Sequence, residues 1–328
     1  MNDIKLPSLP QPFFVLAPMD DVTDTVFRRI VAQCAPPDLY FTEFVNVDGL
    51  QSPGRPALLK KLQFTAKERP IIAQIWGLQP ENFRKTAAEL VGMGFVGVDI
   101  NMGCPDKTVV KNGTCAALMN NRDLAVEIIQ AVKDGVAGRV PVSVKTRLGF
   151  NDIDMSWIEL LLQQDLDMLT IHGRTRREMS KVPAHWEAIG QVREQRDKLA
   201  PQTLIVGNGD VQSRAEGLEL AKKYQLDGIM IGRGVFNDPY VFADESPWQS
   251  FTPQQRINLY NEHVRLFAQT WQNGERPIHT LNKFCKMYIQ GFEGAKELRE
   301  QLMNARSTNE LLKTLNVSIT PKLAYDVR

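Results

Sequence analysis

Short apolar runs alternate with segments of helical periodicity throughout the first three quarters of this sequence. Eight such runs lie at 13–19, 39–45, 70–77, 97–103, 140–149, 168–175, 203–211 and 228–236. Runs this apolar are typical of parallel strands that helices cover on both faces. Eight units in this length predict a closed (β/α)8 TIM barrel. An open doubly wound sheet is the alternative, but "APMDDVTD" stands where its GxGxxG turn would follow the first strand.

The alternation ends near "DESPWQSFTP" at 244–253, and only amphipathic helical patterns follow. We therefore predict a barrel domain over 1–243, a smaller all-helical domain over 252–317, and a C-terminal tail over 318–328 that lacks periodicity and is expected to be disordered. From Thr252 onward the chain has 11 Lys and Arg against 7 Asp and Glu, a net charge of +4. The whole chain has a net charge of only +1, so this positive charge is concentrated in the helical domain.

Cysteine usage and hydropathy indicate the cellular compartment. Cysteines stand at 34, 104, 115 and 285 without a CxxC pair, which predicts neither a bound metal nor a disulfide framework and favours the reducing cytoplasm. The first residues, "MNDIKLPSLPQPF", contain an acid and three prolines, unlike a secretory signal. No window approaches the roughly 20 apolar residues of a membrane span, so we expect a soluble protein with no membrane partner.

Polar residues and glycines stand at nearly every strand end, where TIM barrels place their chemistry. "GNGD" (207–210) and "IGRG" (231–234) end the seventh and eighth strands, the usual phosphate site of such barrels. Arg233 is suited to neutralising a phosphate. Lys145 and Gln74 end apolar strands, and the carbonyl oxygens of a flavin's pyrimidine edge would suit both side chains. A lysine paired with Asp99 or Glu43 is the alternative.

Two further strand ends carry groups suited to catalysis. In "HGRT", His172 precedes Arg174, which favours an anionic or carbonyl-rich ligand, although a structural histidine is equally compatible with the pattern. Cys104 lies between glycine and proline in "NMGCP", which fixes a loop at the barrel mouth. A thiol with an ordinary pKa near 8.5 is mostly protonated at neutral pH and can donate a proton. The other three cysteines fit small buried apolar residues.

These motifs, taken in order, resemble the tRNA-dihydrouridine synthases. "APMDDVTDTVFRR" is similar to the family's opening motif, and "TEF", "DINMGCP", "VSVKTRLG", "IHGRT", "NGD" and "MIGRG" follow in the family's order. The resemblance covers about residues 15–240, and the helical C-terminal part matches in kind. Asp20 and Asp21 in "MDD", the pair Thr114 and Cys115, and "RREMSKVPAHW" depart from the usual pattern.

The resemblance implies that FMN binds in the barrel and that specific uridines in the D-loop of tRNA are reduced to 5,6-dihydrouridine with NADPH or NADH. It implies that Cys104 donates the proton and that Asn101 and Arg174 contact the substrate. Cofactor-binding residues implied in the same way are Ala17, Pro18, Met19, Gln74, Lys145, His172, Asn208, Gly209, Asp210, Gly232 and Arg233. Those implied for tRNA binding, on a basic helical stripe, are Arg276, His279, Asn282, Lys283 and Lys286.

Two other functions are compatible with parts of the sequence. One is an FMN-dependent oxidoreductase acting on a free pyrimidine, similar to dihydroorotate dehydrogenases, although a small metabolite needs no basic helical domain. The other is a tRNA chaperone without catalysis, which the cysteine, asparagine and lysine at the strand ends argue against. We expect a monomer that needs no obligate protein partner.

Overall fold

The computed structural model of the chain describes residues 6–319 and shows one parallel sheet. Its strands are β1 (Phe13–Leu16), β2 (Tyr40–Phe41), β3 (Val45–Asn46), β4 (Ile71–Trp76), β5 (Gly97–Met102), β6 (Val142–Arg147), β7 (Met168–His172), β8 (Leu204–Asn208) and β9 (Gly228–Ile231). They run in the order β1-β9-β8-β7-β6-β5-β4-β2, with β3 also on β4. Backbone hydrogen bonds of 3.2 Å from Leu16 to Leu39 and from Leu39 to Phe14 bring β1 beside the β2 end of this order. The predicted (β/α)8 barrel is thereby confirmed.

Helices follow the strands of the barrel and continue beyond it. They are α1 (Thr25–Cys34), α2 (Val47–Leu50), α3 (Arg55–Leu59), α4 (Pro80–Gly92), α5 (Lys107–Lys111), α6 (Arg122–Val136), α7 (Met155–Leu162), α8 (Trp186–Leu199), α9 (Arg214–Tyr224), α10 (Gly234–Asn237), α11 (Pro253–Thr270), α12 (His279–Tyr288), α13 (Ala295–Asn304) and α14 (Thr308–Ile319). Within residues 6–319, no helix combines the length and apolar character needed to cross a bilayer.

The second apolar run was predicted as one strand over 39–45, and it forms two short strands instead. Both pair with β4, Tyr40 opposite Ile71 and Val45 opposite Ile75. Between them the Thr42 hydroxyl accepts the Gln74 backbone N–H at 3.1 Å. This side-chain bond takes the place of a backbone ladder bond at that position, so the regular pairing is interrupted.

The barrel interior has an apolar lower part and a polar upper part. The apolar cluster includes Leu6, Phe13, Val15, Leu39, Phe41, Ile72, Met168, Leu204, Val206 and Met230. Toward the C-terminal strand ends, strand register places Gln74 opposite Asp99, Asn101 opposite Lys145, and His172 opposite Asn208. Neighbouring strands therefore bring polar side chains that are far apart in sequence to one end of the barrel.

The chain divides into two compact units, of which the second is helical. Among the described residues, the first unit consists of residues 6–235 and Val241–Asp244, and the second consists of Phe236–Tyr240 and residues 245–319. The two last helices, α13 and α14, are separate because Ala305 is extended and the Ser307 hydroxyl accepts the Glu310 N–H at 3.2 Å, as a helix cap does. The predicted tail over 318–328 lies outside the described residues from position 320 onward.

Aromatic rings fill the interior of the helical unit. The rings of Tyr260 and Tyr288 stack with centroids 5.1 Å apart, and the Tyr288 hydroxyl lies 3.0 Å from His263 Nδ1. Burial lowers the pKa of His263 from 6.5 to about 3, so the imidazole is neutral at physiological pH.

Candidate active site

A pocket of about 220 Å³ opens at the C-terminal end of the barrel strands. It is lined by residues 17–19, Lys145, His172, Ser180, residues 208–212, Met230 and residues 232–234. All of the predicted cofactor residues except Gln74 are therefore brought together around one pocket. Ser180, Val211, Gln212, Met230 and Gly234 were not predicted as site residues, and no motif that we used includes Gln212.

Lys145 and His172 present nitrogen atoms at the inner wall of the pocket. Lys145 Nζ lies 3.2 Å from Oδ1 of Asn208. The Nδ2 of the same asparagine donates to the Met230 carbonyl at 2.8 Å. Burial, with a smaller contribution from Arg147, lowers the pKa of Lys145 to about 8. The ammonium ion is thus still the main form at pH 7, but it loses its proton more readily than a lysine in water does.

His172 is neutral in this setting. Burial is the main cause that lowers its pKa well below the ordinary value, and the positive charges of Arg147 and Lys145 act in the same direction. Its Nε2 lies 3.2 Å from Arg174 Nη1, and because a guanidinium can only donate, Nε2 must be the acceptor. The proton of the imidazole is therefore on Nδ1, which makes that nitrogen a donor.

Glycines and one arginine form the outer rim of the pocket. A side chain at Gly209 (φ +142°) would meet Ala184 at 2.6 Å, so this position has no room for one. At Gly232 an added Cβ would meet only Ala17 and Met19, at 3.5 and 3.8 Å, so the backbone there borders open pocket space. Arg233 extends from the same turn and is mostly exposed.

Asp210 forms ion pairs with two arginines, Arg174 and Arg233. Its Oδ1 accepts from Arg233 at 3.1 Å, while its Oδ2 accepts from Arg174 and from the Ala184 backbone at 3.1 Å. Arg174 is 2% exposed and also donates to the Val182 carbonyl at 2.6 Å. The structure thus places Arg174 behind the pocket wall, where it joins His172 to Asp210.

Gln74 and Asn101 belong to a buried chain of hydrogen bonds beside the pocket. Ser143 donates to Asp99 Oδ1 at 2.6 Å, and Gln74 Nε2 donates to Asp99 Oδ2 at 2.7 Å. Asn101 Nδ2 then donates to Gln74 Oε1 at 3.1 Å. Burial raises the pKa of Asp99 to about 6, opposed by the hydrogen bonds from Ser143 and Gln74. Both polar ends of the Gln74 side chain are engaged within this chain.

The loop that carries Cys104 is held from two sides. Asn101 Oδ1 accepts the backbone N–H groups of Gly103 at 3.1 Å and Cys104 at 3.0 Å. From β6, Arg147 Nε donates to the Gly103 carbonyl at 2.8 Å, and its Nη1 reaches the carbonyls of Thr175 at 3.1 Å and Met179 at 3.0 Å. Cys104 is half-buried and lies just after the end of β5.

The thiol of Cys104 is more acidic than an ordinary cysteine. A hydrogen bond from Cys115 is the main cause that lowers its pKa from 9.0 to about 7, with burial acting in the opposite direction. We expected an ordinary thiol here, and this acidity is a difference from that expectation. From the sequence we predicted that Cys115 is a small buried residue, and no local motif indicates its proximity to Cys104.

Three carboxylates lie together outside the pocket. Asp20, Asp21 and Glu43 are the one group within residues 6–319 whose ligand atoms are close enough to share a metal ion. Lys61 forms an ion pair with Asp20, and Glu43 Oε1 accepts the Asp21 N–H at 2.8 Å. These contacts already stabilise two of the carboxylates.

In the helical unit, α12 exposes most of the predicted basic stripe. His279, Lys283 and Lys286 are exposed and Asn282 is half-buried. Arg276 differs because it is 4% exposed and its guanidinium lies 5.4 Å from the centroid of the Trp271 ring. The exposed face of α12 therefore consists of His279, Asn282, Lys283 and Lys286, without Arg276.

Comparison with known proteins identifies the family. The family model for dihydrouridine synthase (Dus) matches residues 15–323, nearly the whole chain. The chain belongs to the dihydrouridine synthase family. A probable tRNA-dihydrouridine synthase of Staphylococcus aureus (strain COL) is 48% identical over 305 residues, covering 92% of both chains. Probable tRNA-dihydrouridine synthase 2 of Bacillus subtilis (strain 168) is 47% identical over 311 residues, covering 94% of both.

Solved structures similar to this member of the dihydrouridine synthase family agree on the barrel. Morphinone reductase matches with a TM-score of 0.52 and 15% identity, covering 73% of this chain and 86% of that one. A complex of 2-naphthoyl-CoA reductase matches with a TM-score of 0.55 and 13% identity over 70% of this chain, which spans about half (49%) of the reductase. At such low identity these matches concern the fold alone. The family membership does not favour the free-pyrimidine oxidoreductase considered above.

Proposed function

We propose that this protein reduces specific uridines in the D-loop of tRNA to 5,6-dihydrouridine, with FMN as cofactor and NADPH or NADH as reductant. The observation that carries the proposal is an acidic thiol, Cys104, in a rigid loop beside a pocket lined by hydrogen-bond donors, in a chain of the dihydrouridine synthase family. The relatives named as probable tRNA-dihydrouridine synthases support tRNA as the substrate.

The residues around the pocket fit FMN. Lys145, the Nδ1–H of His172 and Arg233 are donors, as the carbonyl oxygens and the phosphate of this cofactor require. Gly232 leaves open pocket space beside the backbone after β9, which allows a phosphate to approach there, at the usual phosphate position of TIM barrels. FMN, when bound, supplies the hydride that reduces carbon 6 of the uracil ring.

Residues 17–19 and Asn208 would also contact the cofactor. Asp210 would act indirectly, because its carboxylate already accepts from Arg233 and orients that guanidinium. Gln74 would act from the buried chain beside the pocket, since Asp99 fixes its amide. These assignments remain predictions, which the contacts of Asp210 with Arg233 and of Gln74 with Asp99 support.

Cys104 would supply the proton. Its S–H bond breaks, a C–H bond forms at carbon 5 of the base, and the electron pair stays on the sulfur as a thiolate, which solvent then reprotonates. With a pKa of about 7 the protonated fraction falls from about nine tenths at pH 6 to one tenth at pH 8. If proton transfer limits the rate, turnover should therefore decrease as pH rises through 7.

Asn101 and Arg174 were predicted to touch the substrate. Asn101 Oδ1 holds the Cys104 loop, so its effect on the base would come through the position of that thiol as well as through any direct bond. Arg174 is bound to His172 and Asp210, which supports a role in fixing the pocket wall.

The exposed face of α12 would bind the phosphates of tRNA, most directly through Lys283 and Lys286. Such contacts would help to offset the few kcal/mol that unstacking the target base costs. The D-arm of tRNA would then be the partner. The reaction would take place in the cytoplasm, and the proposal needs no second protein and is consistent with a monomer.

The decisive experiment is nucleotide-resolution mapping of dihydrouridine in tRNA from cells that lack this protein. We expect one or more D-loop positions to lose the modification, the wild-type gene to restore it, and a Cys104→Ala gene to fail to restore it. Full modification in the deletion strain would refute the proposed activity. Purified protein should contain bound flavin whose absorbance NADPH bleaches, and protein that cannot be reconstituted with FMN would contradict the cofactor assignment.

A second experiment tests the tRNA face. The double substitution of Lys283 and Lys286 by Glu should weaken tRNA binding about tenfold or more and reduce the dependence of log Kd on log salt concentration by about 2. Lys296→Glu changes an exposed lysine on α13 and serves as the matched control. Equal affinities for the two variants would contradict the assignment to α12.

A further inference from the structure

Asp99 is a buried carboxylate of the barrel interior to which the proposed reaction assigns no part. It lies on β5, opposite Gln74 on β4 and Ser143 on β6. All three side chains are at most 1% exposed. Burying a carboxylate costs free energy unless hydrogen bonds compensate for the lost water. The Ser143 hydroxyl, at 2.6 Å, and Gln74 Nε2, at 2.7 Å, provide this compensation.

The charge of Asp99 determines how the Gln74 amide is turned. Burial raises the pKa of Asp99 to about 6, so the carboxylate is still mainly ionised at pH 7. An ionised carboxylate can only accept hydrogen bonds, so the Gln74 atom that faces it must be the amide nitrogen. The Gln74 oxygen is then turned toward Asn101, whose Nδ2 donates to it at 3.1 Å.

The loop of Cys104 requires the same arrangement from the other end. Its backbone N–H groups at Gly103 and Cys104 need an acceptor, and Asn101 Oδ1 accepts them at 3.1 and 3.0 Å. This turns the Asn101 nitrogen toward Gln74, as the carboxylate end also requires. Two independent ends therefore fix one orientation of both amides, and neither amide can flip without bringing a donor to face a donor.

We propose that Asp99 is a positioning residue that acts through Gln74 and Asn101 on the loop of Cys104. The hydrogen bonds run in one direction, from the loop N–H groups to the carboxylate. Within residues 6–319, only Gln74 accepts from Asn101 Nδ2, so one N–H of that amide is left for another acceptor. The part in catalysis rests on the proposed function, whereas the effect on the loop does not depend on it.

Removal of the carboxylate would release both amides. Gln74 Nε2 would lose its acceptor, and a flipped Gln74 amide would turn that nitrogen toward Asn101. Asn101 would satisfy it only by turning its own oxygen away from the N–H groups of Gly103 and Cys104. The loop would then have two arrangements instead of one, and the proton donor would be in place for only part of the time.

The test is amide hydrogen exchange of the segment 101–107 in the full-length protein, measured without tRNA or nicotinamide. Asp99→Leu removes the acceptor, and Gln74→Leu breaks the chain of hydrogen bonds one step further along. Each should increase exchange of this segment about tenfold or more. Asp99→Asn keeps an oxygen for Gln74 and should restore part of the protection. Gln74→Leu provides the answer if Asp99→Leu does not fold.

A double-mutant cycle with Asn101→Ala separates positioning from a general loss of packing. If Asp99 acts through Asn101, adding Asp99→Leu to Asn101→Ala should increase exchange about twofold further at most, whereas independent effects would multiply. Thr170→Val is the matched control, because the Thr170 hydroxyl is buried on β7 and has no hydrogen-bond partner within residues 6–319. This variant should leave exchange of the segment unchanged.

Exchange equal to wild type in both Asp99→Leu and Gln74→Leu would overturn the inference, and so would effects that multiply with that of Asn101→Ala. With FMN bound, Asp99→Leu should lower kcat about tenfold or more and change KM for tRNA little, as loss of an interaction near the reacting atoms does. Faster exchange together with normal dihydrouridine levels in the Cys104→Ala strain would uphold the effect of Asp99 on the loop and refute the acid role of Cys104.

Discussion

Asn101→Ala tests how the Cys104 loop is held. The substitution removes the oxygen that accepts the N–H groups of Gly103 and Cys104, and the amide that donates to Gln74. A buried N–H left without a partner costs about 1–3 kcal/mol, and the N–H of Gly103 is buried. The N–H of Cys104 is partly buried and adds less. We expect the loop to lose about 2–4 kcal/mol of local stability in total.

Amide hydrogen exchange measures this loss directly. A decrease of 2–4 kcal/mol corresponds to about 30- to 1,000-fold more frequent local opening, since each 1.4 kcal/mol is a factor of ten. The peptide that spans Asn101 to Lys107 should exchange faster by that factor, while peptides from β8 and β9 stay protected. Asn112→Ala, which changes an exposed asparagine just after α5, is the control and should leave the exchange of this peptide unchanged.

The reasoning would be refuted by unchanged exchange in Asn101→Ala. That outcome would mean that Arg147, through the Gly103 carbonyl, holds the loop alone. A loss of activity with unchanged exchange would instead favour the direct contact between Asn101 and the base that the sequence predicted.

Other substitutions test the remaining contacts. Glu68→Ala should cost about 3–5 kcal/mol of unfolding free energy in urea titrations, because it leaves Arg28 charged without its carboxylate partner. Both side chains are fully buried and lie 2.7 Å apart. The control Glu81→Ala, at an exposed ion pair, should change the unfolding midpoint far less. Lys145→Met should weaken FMN binding about tenfold or more in a fluorescence titration without lowering thermal stability, since burial already disfavours the ammonium ion; equal FMN affinity would contradict its place at the cofactor. The pKa of His263 is lowered to about 3 in the folded state, so its neutral form contributes stability above pH 6.5 that is lost as pH falls toward 3. His263→Gln should therefore lose less stability than wild type between pH 6.5 and 4. Parallel stability curves of the two proteins against pH would contradict this.

The sequence was sufficient to predict the barrel and most of the pocket for a physical reason. In a parallel barrel every strand end reaches the same face, so residues that follow separate apolar runs must converge. Lys145, His172 and Asn208 lie on three consecutive strands, and the structure brings all three to one pocket. This part of the site depends only on strand order and register.

What the sequence did not predict depends on side chains that meet across loops. Gln74 has the right position for the pocket, yet Asp99 and Asn101 engage its amide, and no periodicity reveals which neighbour a buried amide selects. The acidity of Cys104 arises from Cys115, which a whole helix separates from it in sequence. The break between α13 and α14 depends on one local cap at Ser307, a side-chain contact that the periodicity of the sequence does not indicate.

Arg147 connects two loops through hydrogen bonds to their backbone carbonyls. One guanidinium spans the carbonyl of Gly103, next to the reactive thiol, and the carbonyls of Thr175 and Met179 in the segment after β7. A displacement of either loop must therefore be transmitted to the other or break these bonds. Insertions or exchanges within 175–179, far from Cys104 along the chain, should consequently change the placement of the acid, and attempts to graft this segment from a relative will have to preserve the course of its backbone.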